Sequence, residues 1–274
     1  DAKHLRGLAQ LGFGFIEVGT LTPKPQPGNP QPRMFRLPEH EALINRLGFN
    51  NGGVDDALKR LQTRDTTVPV GVNIGKNAVT PIERAADDYL LALRAVYTTA
   101  DYVTINISSP NTKNLRDLQA PDSVAALVRT LTDEGRTLAR LHGRRRPIAV
   151  KIAPDLDDAI ITDVVDAIIE AGADAIISSN TTIRRDGVAG HANAQEAGGL
   201  SGAPLTQRAD AVLAQVVKSA NGRVPVIGVG GIMSVADAAR KLDLGASLIQ
   251  IYTGMLYRGP GFVGDLVRGL ASRA

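Results

Sequence analysis

At 274 residues, 43% apolar and 22% charged, with a formal net charge of +3, the chain suits one large globular domain, and single-domain α/β barrels commonly run to about 250 residues. The sequence has no Cys, which excludes disulfides, Cys-ligated zinc, iron–sulfur clusters and a thiol nucleophile, and suits a reducing cytoplasm. Its four His residues are scattered without paired ligand spacing, and the run Arg144-Arg145-Arg146 has no aromatic platform beside it, so neither a metal site nor a nucleic-acid partner is expected.

In chain order, residues 1–11 read as a helix already under way and residues 14–18 as a first strand. Residues 20–51 follow as a long connection holding six prolines. A connection of that length after a strand is usually functional, and it would lie over the carboxyl-terminal mouth of a barrel. Strands are then expected at 70–74, 102–107, 148–152, 175–178, 224–229 and 247–252, because short β-branched runs recur there. Amphipathic helical patterns lie between them at 81–97, 123–142, 157–171 and 235–242, with Asp155 and Asp157 at the capping end of the third. Seven strands alternating with helices is one short of a (β/α)₈ TIM barrel. The missing first strand is expected upstream of residue 1. No linker or repeat divides the chain, so residues 1–274 are read as one domain. No apolar stretch reaches the roughly 18 residues that a bilayer crossing requires.

Three groups of residues carry chemistry. Gly228-Val229-Gly230-Gly231 and Tyr252-Thr253-Gly254 end the last two strands, where glycine lets backbone N–H groups and a helix start approach a phosphate. The bland alternative is a pair of ordinary tight turns. Lys151 ends strand 148–152 and would point into the mouth, to balance an anion or form a Schiff base, unless it is a solvated rim lysine. Asn73, Asn106, Asn111 and Asn180 cluster at strand ends, with Asn45 from the long connection. A ring of amides suits a planar ligand of alternating C=O and N–H groups, such as a pyrimidine or a flavin edge. Any one of them alone reads as a turn or cap residue. Aldolases and lyases that handle phosphates remain open on these features.

The segment D-Y-V-T-I-N-I-S-S-P-N-T (101–112) resembles the catalytic loop of the quinone-dependent dihydroorotate dehydrogenases. The same family is matched, in order, by I-E-V-G-T-L-T-P-K-P-Q-P-G-N (16–29), I-N-R-L-G-F-N-N (44–51), G-V-N-I-G-K-N (71–77), V-K-I-A-P-D (150–155), S-N-T-T (179–182), G-G-L-S-G (198–202), G-V-G-G-I (228–232) and Q-I-Y-T-G (250–254). The resemblance implies an FMN flavoprotein that oxidises dihydroorotate to orotate in pyrimidine (UMP) biosynthesis and passes electrons to a quinone.

It further implies that Ser109 is the general base, with Thr112 and Phe49 lining its proton relay. FMN contacts fall on Thr20, Asn73, Asn106, Lys151, Ser179, Gly202, Gly231, Tyr252 and Thr253. Substrate contacts fall on Asn45, Arg46, Leu47, Gly48, Phe49, Asn106, Asn111, Asn180 and Thr181. Family members with a cysteine as base would need a Cys that this chain does not possess. The family's first strand, with its A-A-G-x-x-K segment, is not found in these residues, nor is the amino-terminal helical domain through which such enzymes touch the membrane and admit quinone. The expected location is therefore the cytoplasmic side of the cell membrane, peripherally attached. Three rival readings stand beside this one: an FMN barrel acting on another pyrimidine, an aldolase using Lys151, and a non-catalytic nucleotide-binding barrel.

Overall fold

Short runs of Val, Ile and Ala, each feeding an amphipathic helix, set the architecture. The computed structural model describes residues 1–273. Its strands are β1 (Ile16–Leu21), β2 (Met34–Leu37), β3 (Ala42–Asn45), β4 (Val70–Ile74), β5 (Tyr102–Asn106), β6 (Ile148–Ile152), β7 (Ala175–Ser178), β8 (Gly199–Gly202), β9 (Val226–Val229) and β10 (Leu248–Gln250). Its helices are α1 (Leu5–Ala9), α2 (Gly53–Gln62), α3 (Ala85–Val96), α4 (Pro121–His142), α5 (Ile161–Glu170), α6 (Thr206–Ala220), α7 (Val235–Asp243), α8 (Thr253–Arg258) and α9 (Phe262–Ala271).

Seven strands pair in parallel in the order β1-β4-β5-β6-β7-β9-β10, and these are the seven that the apolar runs predict. Parallel strands covered on both faces need apolar residues throughout, and β4 is buried along its whole length. The outward side chains pack against the helices in one continuous core that includes Val72, Ile105, Val150, Val165 and Val216. Inside, a smaller cluster of Ala149, Ile177 and Ile227 closes over Phe15. The sheet curls until its edges face each other, because Gln250 Nε2 on β10 donates to Glu17 Oε2 on β1 across 3.1 Å. Among the described residues β1 and β10 share no backbone ladder. The result is a TIM-barrel α/β fold with seven strands and a seam between β1 and β10.

Three sequence expectations change. The opening helix covers only Leu5–Ala9 and has no side-chain cap at His4, since Gly7, Gly12 and Gly14 weaken the surrounding chain. Asp157 does cap its helical turn, accepting from Ala159 N at 3.0 Å. Asp155 does not; it pairs with Arg116 at 2.7 Å and accepts from the Thr182 hydroxyl and Ile183 N. The long connection, finally, is not all loop. It contributes β2 and β3 to an antiparallel sheet of order β2-β3-β8, with Asn45 opposite Gly199 and Ala42 opposite Gly202.

Candidate active site

Parallel strands end together at one face of the barrel, and the small antiparallel sheet sits over that face. Thr253 Oγ1 donates to Ser201 Oγ at 2.9 Å and Tyr257 OH to the Ala42 carbonyl at 2.8 Å, tying the two sheets together. Between them lies a cavity of about 950 Å³, within the range usual for cofactor and small-molecule sites. Asn45, Asn73, Asn106, Asn111 and Asn180 all line it, so the amides that the sequence scatters from position 45 to position 180 converge in space. Thr20, Leu47, Gly48, Phe49, Ser109, Lys151, Ser179, Thr181, Gly202, Gly231, Tyr252 and Thr253 line the same cavity.

The amides are wired together before any ligand arrives. Asn73 Nδ2 donates to Glu17 Oε1 (2.9 Å), and Thr20 Oγ1 donates to Asn73 Oδ1 (2.6 Å). Asn106 Nδ2 donates to Thr20 Oγ1 (2.9 Å), and the Ser108 hydroxyl donates to Asn106 Oδ1 (3.1 Å). Asn180 Nδ2 then donates to Ser108 Oγ (2.9 Å), and its Oδ1 accepts from Thr181 N (2.8 Å). Asn111 Nδ2 reaches Asn45 Oδ1 at 3.2 Å, joining the loop after β5 to the end of β3.

Adjacent serines have opposite fates in this wiring. Ser108 is fully buried, and both its hydrogen-bonding roles are taken by Asn106 and Asn180. Ser109 lines the cavity, and its Oγ accepts from Asn111 N at 3.2 Å. Phe49 holds a left-handed backbone at φ +55°, uncommon for a bulky residue and often found where a site fixes a side chain. Its ring packs where a side chain on Gly75 would otherwise sit.

Two predicted residues lie elsewhere. The Arg46 guanidinium points away from the cavity, donating to Glu196 at 2.6 Å and stacking over Phe35 at 4.6 Å. Its long side chain finds carboxylate and carbonyl partners on the rim, at Glu196 and at the Pro32 and Ala197 carbonyls. Thr112 is buried but not part of the cavity wall, and no hydrogen bond joins it to Ser109 among the described residues; the turn to Leu115, whose N donates to the Thr112 carbonyl, carries it behind the loop.

Two others escaped the sequence reading. Glu17 was visible as a lone charge in an apolar strand, pointing inward by strand alternation. Arg116 gave no local signal. Its guanidinium donates to Ser108 O (2.9 Å), Asp155 Oδ2 (2.7 Å) and Thr181 O (2.9 Å), bracing two loops at once.

A family model described as dihydroorotate dehydrogenase matches residues 1–273. The chain belongs to the dihydroorotate dehydrogenase family. It is 54% identical over 274 residues to a dihydroorotate dehydrogenase (quinone) of Paraburkholderia phymatum, covering all of this chain and 80% of that one. It is 55% identical over 271 residues to the protein of that name from Chromobacterium violaceum, covering 99% and 79%. A solved dihydroorotate dehydrogenase from Eimeria tenella in complex with ferulenol superposes with a TM-score of 0.94 at 39% identity, covering 99% of this chain and 78% of that one. Members of this family are flavin-dependent oxidoreductases, and the rival aldolase and non-catalytic readings fall with that membership.

Proposed function

We propose that this chain oxidises dihydroorotate to orotate in pyrimidine biosynthesis, with FMN in the barrel mouth, Ser109 as general base and a quinone as final acceptor. The observation that carries the base assignment is the contrast between the serines: Ser109 faces the cavity, whereas Ser108 is committed to two asparagines. Serine is a weak base at its free pKa and needs help. The Asn111 backbone N–H on Ser109 Oγ offers some, since a donor favours the charged form of the oxygen.

The residues present suit FMN. The Thr181 hydroxyl is buried without a partner among the described residues, and the wall beside it offers amide donors and acceptors for a flat ring edge. Thr20, Asn73, Asn106, Lys151, Ser179 and Tyr252 would hold the flavin, and the backbone around Gly202, Gly231 and Thr253 its phosphate. FMN, when bound, supplies the acceptor for the hydride that leaves carbon six of dihydroorotate. Ser109 takes the proton from carbon five. Lys151 holds a positive charge in the mouth, a preorganised stabiliser of negative charge. Asn45, Leu47 to Phe49, Asn111, Asn180 and Thr181 orient the pyrimidine.

A quinone acceptor brings the enzyme to a membrane surface, and peripheral attachment on the cytoplasmic side fits a chain in which, among the described residues, no helix is long and apolar enough to cross. The test is stopped-flow mixing of dihydroorotate with the full-length yellow protein. Bleaching of the flavin band, recovered on adding quinone, is expected; a band that dihydroorotate leaves unchanged would end the proposal.

A further inference from the structure

Glu17 receives four donors and faces no acceptor among the described residues: Asn73 Nδ2 (2.9 Å) on one oxygen, and Tyr102 OH (3.1 Å), Thr104 Oγ1 (2.8 Å) and Gln250 Nε2 (3.1 Å) on the other. These partners come from β4, β5 and β10, so one side chain ties both sides of the seam. Burial, reinforced by the nearby Glu17 charge, raises the Tyr102 hydroxyl above its ordinary range, which keeps it a donor. A glycine at position 71 leaves the room that the Tyr102 ring occupies.

A carboxylate only accepts, whereas a carboxamide can be turned end for end. The chain from Glu17 through Asn73, Thr20, Asn106 and Ser108 to Asn180 has a single polarity, every donor pointing back toward Glu17. Further along, backbone donors fix the amides independently, Ser108 N on Asn106 Oδ1 (3.2 Å) and Thr181 N on Asn180 Oδ1 (2.8 Å), so the amide whose direction rests on Glu17 is Asn73. From this we infer that Glu17 is a positioning residue that fixes which end of Asn73 faces the ligand. The inference rests on the proposed reading of the cavity as the flavin and pyrimidine site, and adds to it the element that sets hydrogen-bond polarity there.

In Glu17→Gln the new amide meets Tyr102, Thr104 and Gln250 with its oxygen, which turns its NH₂ against the NH₂ of Asn73. Asn73 must then flip.

Two measurements on the full-length flavoprotein test this. The first is FMN titration of flavin-stripped protein, followed by flavin fluorescence. Glu17→Gln should weaken FMN binding about 10-fold or more, as expected when buried polar groups lose their partners. The second is side-chain amide NMR of protein labelled at asparagine nitrogen, which reads polarity without turnover. The Asn73 signal should move in Glu17→Gln, while those of Asn106 and Asn180, held by backbone donors, should stay close to their starting positions. A Glu17→Gln protein with an unmoved Asn73 signal, or with unchanged FMN affinity, overturns the inference. Failure of the parent protein to bleach with dihydroorotate would instead strike the proposed function, leaving the amide signals to decide on Glu17.

Discussion

The wall built by β1, β4, β5 and β7 and the wall built by β8, β9 and β10 enclose one cavity, yet polar side chains make the first and glycine backbone the second. On the amide wall Asn73, Asn106 and Asn180 already have partners within the protein, so their direction is set before a ligand binds, at low ordering cost. On the glycine wall the missing side chains are required by the chain itself. A Cβ on Gly231 (φ +72°) would collide with the Thr206 backbone, and one on Gly202 (φ +99°) with the Glu41 carbonyl. Glycine there reports tight packing first, and only its exposed N–H groups speak for a phosphate. A polar side chain bound to another polar side chain is thus the better mark of a built site than a glycine turn.

The sharpest way to break the comparison is at the serine pair. Ser109→Ala should slow flavin reduction by dihydroorotate about 10²–10⁴-fold with orotate binding nearly unchanged, the usual loss for a positioned general base. Ser108→Ala removes a link of the amide wall instead, so it should weaken orotate binding more than it slows chemistry. Equal small effects on rate at both positions in rapid-reaction measurements would leave the loop without its base.

On the opposite wall, Gly231→Val forces a β-branched residue to a left-handed backbone and into Thr206, and should destabilise the barrel on the order of 3 kcal/mol. Flavin loss would follow unfolding rather than precede it. Thermal melts of flavin-free protein decide the matter: an unchanged midpoint together with lost flavin would mean that the glycine serves phosphate approach after all.

What the residues disclosed before the fold was known divides along the same line. The seven barrel strands were legible because burial on both faces turns each into an apolar run, as in Val70–Ile74. β2, β3 and β8 were not. Gly199–Gly202 has little strand propensity, and its partner β3 lies more than 150 residues earlier. Asn73, Asn106 and Lys151 were found because alternation puts them at the inward end of their strands. The wiring was not, since the Asn180 to Ser108 bond spans 72 residues and the Arg116 to Thr181 bond 65. Preference for Ser109 over Ser108 comes from family resemblance, and the sequence gives no sign that Ser108 is bonded to Asn106 and Asn180.

Arg116 offers a gentler cut into the amide wall. Lysine at 116 keeps the charge but cannot span three acceptors with one planar fork. Arg116→Lys should therefore loosen the Ser108 and Thr181 carbonyls together and cost about 2 kcal/mol in orotate binding. Calorimetric titration measures it, and an affinity within about twofold of the parent would show that Asp155 alone holds those loops.

The smallest effect is expected at Arg46, where resemblance and geometry disagree. As a substrate contact through its side chain, Arg46 would be costly to lose, because orotate is an anion and a guanidinium beside it would form a charge-assisted bond. The observed side chain instead reaches Glu196 at 2.6 Å and Pro32 O at 2.9 Å and covers the Phe35 ring, with both ion-pair partners about one-third exposed or less. Solvent screens such a pair, which holds about 0.2–1 kcal/mol, so Arg46→Ala should lower stability by no more than that. Orotate affinity should move less than about threefold, since the Arg46 backbone N, bonded to Arg33 O at 2.8 Å, still carries Asn45 and Leu47 into the cavity. A tenfold loss of orotate affinity, with an unchanged melting midpoint, would mean that the guanidinium swings inward when substrate binds.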